Sequence, residues 1–227
     1  MHRFWTLVVT LRAQTSRRPL DCRTVMDLPP IVQALAFGAS GYAIGAVSAA
    51  YYIVRWRRGA VIRDLHSGHA GATNAGQVLG STGFAVVFAL DCLKGVAAVW
   101  LVRWVDAPLE VRGVAALAVV AGHIWPPQLR FRGGKGIATA MGAVPAAMPW
   151  LALHLLIVAL AALLVSRRTH WAGVAALVAL IPTATGLGLP LGLTACFIAM
   201  AVVIVWAHRR EILAVLRPPA TGSATPR

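Results

Sequence analysis

Charge is scarce in this chain: Asp, Glu, Lys and Arg make up 12% of its 227 residues, against 59% hydrophobic residues and a mean hydropathy of +0.73. Soluble domains carry about 25% charged residues, so a water-soluble globule is excluded and an integral membrane protein is expected. Acids are the scarcest, seven against 21 Lys and Arg, for a formal net charge of +14. No basic stretch carries an RNA- or DNA-binding motif and the bases sit between apolar runs, so nucleic acid is not an expected partner. The three cysteines, Cys22, Cys92 and Cys196, form no C-x-x-C pair, and the last two lie inside apolar runs. Neither a disulfide framework nor a structural zinc site is expected from them. Aromatic residues are few, while Ala and Gly are plentiful, which predicts helices packed through small residues.

The first 25 residues lack the apolar core and small-residue cleavage site of a signal peptide. His2, Arg3, Arg12, Arg17, Arg18 and Arg23 surround an apolar stretch, Leu7 to Leu11, that is too short to span a bilayer. Residues 1–25 are therefore read as a basic extension outside the membrane pattern, either from an overextended start, with Met26 as the natural one, or as a short tail. Residues 26–217 are expected to form a single membrane domain, and 218–227 a disordered tail.

Long hydrophobic runs dominate the rest: Ile31 to Val54, Val78 to Val105, Val111 to Trp125, Ile137 to Met148, Trp150 to Val165, Trp171 to Leu187 and Leu191 to Ala207. The fold class expected is an all-α polytopic membrane protein with about seven transmembrane helices. A full crossing takes about 20 residues, so the shorter runs are half-helices, tilted pieces or re-entrant segments. Basic residues follow every odd-numbered run: Arg55, Arg57, Arg58 and Arg63; Arg130, Arg132 and Lys135; Arg167 and Arg168; Arg209, Arg210 and Arg217. The even-numbered exits carry no net positive charge, so the basic loops and the C-terminus are assigned to the cytoplasm. Gly41-x-x-x-Gly45, Gly76-x-x-x-Gly80 and Gly188-x-x-x-Gly192 have the spacing of close helix contacts.

Two polar, glycine-rich loops interrupt this chain, and both fall on the cytoplasmic side. The first runs from Arg63 to Asn74 and has small residues at Ser67, Gly68, Ala70, Gly71 and Ala72. Successive backbone N–H groups can there point into one concavity, with Ser67, Thr73 and Asn74 adding side-chain donors, which is how an anion cradle is built. In the second, Gly133, Gly134 and Gly136 flank Lys135, and the next helix starts at once, adding its N-terminal amides and dipole. A nucleotide-binding P-loop would need Gly where Leu129 stands and Ser or Thr where Gly136 stands, and is rejected. Two anion cradles on one face suggest chemistry on two phosphates.

At this point the sequence resembles the bacterial acyl-phosphate:glycerol-3-phosphate acyltransferases, over about Leu28 to Leu216. Six blocks carry the resemblance in order: Ser48; Arg63 with Ser67-Gly-x-x-Gly71-Ala-Thr73-Asn74; Leu90-Asp-Cys-Leu-Lys-Gly95; Gly122-His123-Ile-Trp-Pro126; Gly133-Gly134-Lys135-Gly136-Ile-Ala-Thr139; and His208-Arg-Arg. The resemblance implies a small multi-pass enzyme of the bacterial inner membrane that moves a fatty acyl group from acyl phosphate to glycerol-3-phosphate. It implies no cofactor or metal, membrane lipids as surroundings, and a monomer or weak homodimer. His123, Lys135 and His208 would serve as catalytic residues. Ser48, Arg63, Ser67, Gly68, Gly71, Thr73, Asn74, Arg132, Gly133, Gly134, Gly136 and Thr139 would bind the phosphates.

The chain also departs from that pattern, with His66, His69 and Gln77 in the first loop where the family offers Gly, Asn and Arg, and Glu211 where an asparagine is usual. His66 and His69 are expected to compensate for the missing cation at Gln77 when protonated. Asp91 and Lys94 lie three apart on one helix and are expected to neutralise each other. His154 stands alone in an apolar run and is expected to hydrogen-bond between helices, and Asp64 to pair with Arg63. An acyl phosphate is already activated, so positioning and charge neutralisation suffice without a covalent intermediate, and neither G-x-S-x-G nor a cysteine nucleophile is present. The proton would go to His123, His208 or the leaving phosphate. The rivals are a membrane anion or lipid transporter, which the lack of a convincing inverted repeat disfavours, and a non-catalytic relative.

Overall fold

The computed structural model describes residues 27–216, and the expectations for the terminal segments lie outside them. Every regular element among these residues is helical, and no strand occurs. Helix α1 (Pro30–Ala46) opens on a proline, whose fixed φ suits the first helical position. Helix α2 is Ala49–Arg58, α3 Ala72–Trp104, α4 Leu109–Ile124 and α5 Ile137–Ala147. Helix α6 is Leu151–Ser166, α7 Thr169–Val178, α8 Leu180–Gly186, α9 Leu191–Ala207 and α10 Arg209–Leu216.

The seven apolar runs are all helical, with three differences from expectation. The first run is broken at Val47 and Ser48, so α1 and α2 are separate helices within one apolar stretch. Ser48 makes the break by capping α2, its hydroxyl accepting from the Tyr51 N–H at 3.3 Å. The second run begins at Ala72 and not at Val78, so the end of the first glycine loop is the first turn of α3. The sixth run is two helices in tandem, α7 and α8. Three stretches are long and apolar enough to cross a membrane, Pro30–Arg58, Ala72–Trp104 and Leu109–Leu129, while the other four are shorter.

Two pairs of glycines let the central helices touch backbone to backbone. A Cβ at Gly45 would run into the Val119 carbonyl, and one at Gly122 into the Tyr42 carbonyl, locking α1 against α4. In the same way Gly95 meets the Thr139 carbonyl and Gly142 the Cys92 carbonyl, locking α3 against α5. Lipid tails are as apolar as leucine, so close van der Waals contact of this kind is what holds membrane helices together. Of the three spaced glycine pairs read from the sequence, only Gly41 and Gly45 pack as expected, against Ala115 and Val119. Gly80 instead kinks α3 at φ 77°, and Gly188 sits in a turn at φ 61°, neither with a neighbour that a Cβ would meet. Outward, α6 exposes Leu153, Leu156, Ile157, Leu160 and Leu164. A stripe that large is a liability in water and the normal face of a helix in lipid.

Candidate active site

The first glycine loop is shaped by Asn74, whose side chain is buried at the start of α3. Its amide nitrogen lies 2.9 Å from both the Ile62 and His69 carbonyls and 3.1 Å from that of Leu65, and its Oδ1 accepts from the Ser67 N–H at 3.3 Å. Asn74 thus binds the loop to itself. Arg63 ties this loop to the next one, donating from Nη1 to the Leu129 carbonyl at 2.6 Å. No ion pair joins Arg63 to Asp64, which corrects the pairing expected from their adjacency.

The second loop turns sharply after α4, with Arg130 at φ 52° and Phe131 at φ 57°, conformations that non-glycine residues rarely adopt. It is then pulled back onto α4: Gly133 N–H donates to the Ile124 carbonyl at 3.0 Å, and Gly134 N–H to that of His123 at 3.1 Å. The loops join through the Ala70 N–H and the Gly133 carbonyl, 3.1 Å apart. Gly136, at φ 89°, caps α5. Two helix N-termini, those of α3 and α5, therefore face one cavity of about 270 Å³.

Nine of the fifteen residues expected in the site line that cavity: Ser67, Gly71, Thr73, Asn74 and His123, with Gly134, Lys135, Gly136 and His208. The other six lie elsewhere. Ser48 caps α2, Arg63 clamps the two loops, and Gly68 forms the left-handed turn whose N–H bonds the Leu65 carbonyl at 3.0 Å. Arg132 is exposed, Gly133 is spent on the backbone bonds described above, and Thr139 is buried in α5 with its carbonyl against Gly95. These six shape the site from behind or sit at its rim, so the phosphate contacts expected of them do not follow from their positions.

Nine further residues line the cavity, among them Phe84 and Phe88, whose rings stack at 5.7 Å on consecutive turns of α3, Asp91, and Glu211. The phenylalanine pair had an i, i+4 signal in the sequence. Glu211 had only its departure from the usual asparagine. Its carboxylate forms an ion pair with Lys135. Burial is the largest single influence and would raise the Glu211 carboxyl, but the bond to Lys135, a backbone hydrogen bond and the Lys135 charge together outweigh it and hold the carboxyl below the ordinary value. It is therefore ionised at neutral pH and occupies the cation expected to hold phosphate. Replacing it, Glu211→Gln, should lower the acceptor KM by up to about fivefold, since an ion pair this exposed contributes at most ~1 kcal/mol. A KM equal to or above that of the parent would show that the carboxylate does not compete.

His69 lines the cavity and lies 2.7 Å from the Ser67 carbonyl through Nδ1, which must then carry the proton. Burial, reinforced by the charge of Lys135, lowers its pKa below the ordinary 6.5, while His66 lies outside the lining at φ 42°. The cation expected to replace the family arginine is thus not supplied by His69 at neutral pH. His154 behaves as expected, its Nδ1 lying 3.3 Å from the Thr183 hydroxyl across α6 and α8. Asp91 and Lys94 pair at 2.8 Å.

An all-helical membrane protein whose cavity is built from two helix N-termini, glycine-loop amides and a lysine belongs to the class that handles phosphorylated substrates at a bilayer. The particular family follows from comparison. The glycerol-3-phosphate acyltransferase family model matches residues 35–217, and the chain belongs to that family. Glycerol-3-phosphate acyltransferase 1 of Desulfitobacterium hafniense (strain Y51) is 37% identical over 175 residues, covering 77% of this chain and 87% of the relative. The Myxococcus xanthus (strain DK1622) glycerol-3-phosphate acyltransferase is 36% identical over 179 residues, covering 78% and 93%. The fold matches the crystal structure of PlsY, an integral membrane glycerol 3-phosphate acyltransferase, in its glycerol 3-phosphate form, with TM-score 0.74 and 31% identity over 81% of this chain and 92% of that one. The lysophosphatidic acid form of PlsY matches with TM-score 0.71 and 30% identity.

Proposed function

We propose that this chain transfers a fatty acyl group from acyl phosphate to glycerol-3-phosphate, yielding 1-acyl-glycerol-3-phosphate and inorganic phosphate. The observation that carries the reading is the single cavity in which Lys135 and the N-termini of α3 and α5 meet a stacked pair, Phe84 and Phe88. Its polar part suits phosphate oxygens and its aromatic part suits a fatty chain. The acceptor hydroxyl oxygen attacks the acyl carbonyl carbon, the bond from that carbon to the phosphate oxygen breaks, and phosphate departs with both electrons of that bond and takes up the hydroxyl proton. Lys135, the loop amides and the helix dipoles neutralise the charge that gathers on the departing phosphate. Arg63 and Asn74 act at one remove, holding the loops in register.

Residues 26–217 form the catalytic domain in this reading, within the bacterial inner membrane, as a monomer or weak homodimer. The Arg-rich loops, including the one that carries Lys135, face the cytoplasm because positive residues are retained there. A cysteine at position 132 in a cysteine-free background should accordingly resist a membrane-impermeant thiol reagent in intact cells, and labelling there would invert the orientation. The test of function is purified protein with palmitoyl phosphate and glycerol-3-phosphate, with lysophosphatidic acid measured by mass spectrometry. Product should form with palmitoyl phosphate and not with palmitoyl-CoA. Equal turnover with the thioester, in protein free of acyl phosphate, would overturn the donor assignment.

A further inference from the structure

At the buried end of the cavity three ionisable side chains meet. The Lys94 Nζ lies 2.8 Å from Asp91 Oδ1, 3.0 Å from the Val47 carbonyl oxygen and 2.7 Å from His123 Nδ1. An ammonium has three N–H donors and no lone pair. The pairing with Asp91 keeps Lys94 in that form, and its three donors match these three acceptors one for one. His123 Nδ1 must then present its lone pair to Lys94, so the ring proton resides on Nε2. Asp91 Oδ1 also faces Nδ1, but at 3.5 Å and already bound by Lys94 at 2.8 Å, and a proton at Nδ1 would set an N–H against the ammonium at 2.7 Å.

The opposite edge of the ring faces the site. His123 lines the cavity, a Cβ at Gly134 would collide with its Nε2, and Nε2 has no protein hydrogen-bond acceptor among the described residues. The ring cannot swing away, because its own carbonyl is bound by Gly134 N–H and its Nδ1 by Lys94. A proton on Nε2 also leaves no free lone pair on that edge, so the ring is unable to accept one from a substrate hydroxyl. This removes His123 from the candidates for general base.

We propose that Asp91 and Lys94 are positioning residues that hold His123 as a neutral, Nε2-protonated imidazole, and that His123 donates from Nε2 to an anionic oxygen of the substrate. That donor role rests on the acyl-transfer reading of the cavity, whereas the tautomer does not. A fixed donor fits charge developing in a closed site better than a titrating one, because it needs no reorganisation when the charge appears.

The experiment is nitrogen NMR on the full chain in detergent with 15N-labelled histidine, the His123 signals being assigned by their loss in His123→Gln, or in His123→Asn should the first variant not fold. Nδ1 should resonate as an unprotonated acceptor and Nε2 as a protonated nitrogen at neutral pH, and inorganic phosphate should shift Nε2. Lys94→Met should let both tautomers appear. In turnover, His123→Ala should lose roughly a hundredfold to a thousandfold, the range for one preorganised donor, while His123→Gln, whose amide can accept from Lys94 and donate to substrate, should be at least about tenfold more active than the alanine variant. A protonated Nδ1, an Nε2 unmoved by phosphate, or equal losses in the two variants would overturn the proposal. If the tautomer is found as stated but the parent protein makes no lysophosphatidic acid, the acyl-transfer reading falls and the positioning pair stands.

Discussion

Lys135→Ala should lower kcat/KM for acyl transfer by roughly thirtyfold to a thousandfold while leaving the protein inserted and folded. The figure corresponds to about 2–4 kcal/mol of transition-state stabilisation, the range found when one preorganised donor at a developing anion is removed. Lys135 follows Gly134 and precedes the Gly136 cap of α5, so its charge and the α5 amides act on the same cavity. Its one ion pair among the described residues is with Glu211, a contact between partly exposed side chains that is worth little to stability. Removal of the lysine should therefore separate activity from folding. Gel filtration and thermal melting in detergent check the second, and the palmitoyl phosphate assay checks the first. Activity within a factor of two of the parent would remove Lys135 from the chemistry.

How far the sequence foretold this site depended on whether backbone or side chain did the work. Loops that present amides to an anion need small residues, and that requirement is written directly in Ser67, Gly71, Gly134 and Gly136, all of which line the cavity. A side chain's direction is not written there. Arg63 carries the charge suited to a phosphate ligand, yet it points across to Leu129 and ties the loops together. Ser48 reads as a substrate hydroxyl and is a helix cap, because the break between α1 and α2 has no proline or glycine to announce it. Glu211 was visible only as an unusual residue. Its partner Lys135 lies 76 positions earlier, and α9, whose Ile204 lies close to Gly136 of the second loop, leads into the helix α10 that carries Glu211. The apolar runs were legible throughout, since hydropathy is additive along the chain. Their interruptions were not, since a tandem pair such as α7 and α8 has the same composition as one helix.

The second large effect is expected at Gly134, where the two readings of a glycine-rich loop diverge. If the glycines served only to make a flexible turn, Gly134→Ala would be mild, because the residue has no left-handed φ to protect. The geometry says otherwise. A Cβ there would overlap the His123 imidazole at Nε2 and Cε1 and approach the Ala70 carbonyl at 3.2 Å. His123 cannot yield without breaking its contact with Lys94, and Ala70 cannot yield without loosening the N–H bond to Gly133 that joins the loops. The added methyl must displace one of them, and a misplacement of about 1 Å in a catalytic constellation costs on the order of a hundredfold in rate. Overpacking of this kind also destabilises by about 1–3 kcal/mol, so Gly134→Ala should melt earlier as well as turn over at about one percent of the parent rate. Gly186→Ala is the control, since a Cβ there meets nothing within 4 Å and the residue lies on α8 outside the cavity lining. It should match the parent in both measurements. A Gly134→Ala protein with parental turnover would mean that the loop and His123 relax apart at no cost, and that the close contact between them is not what aligns the site.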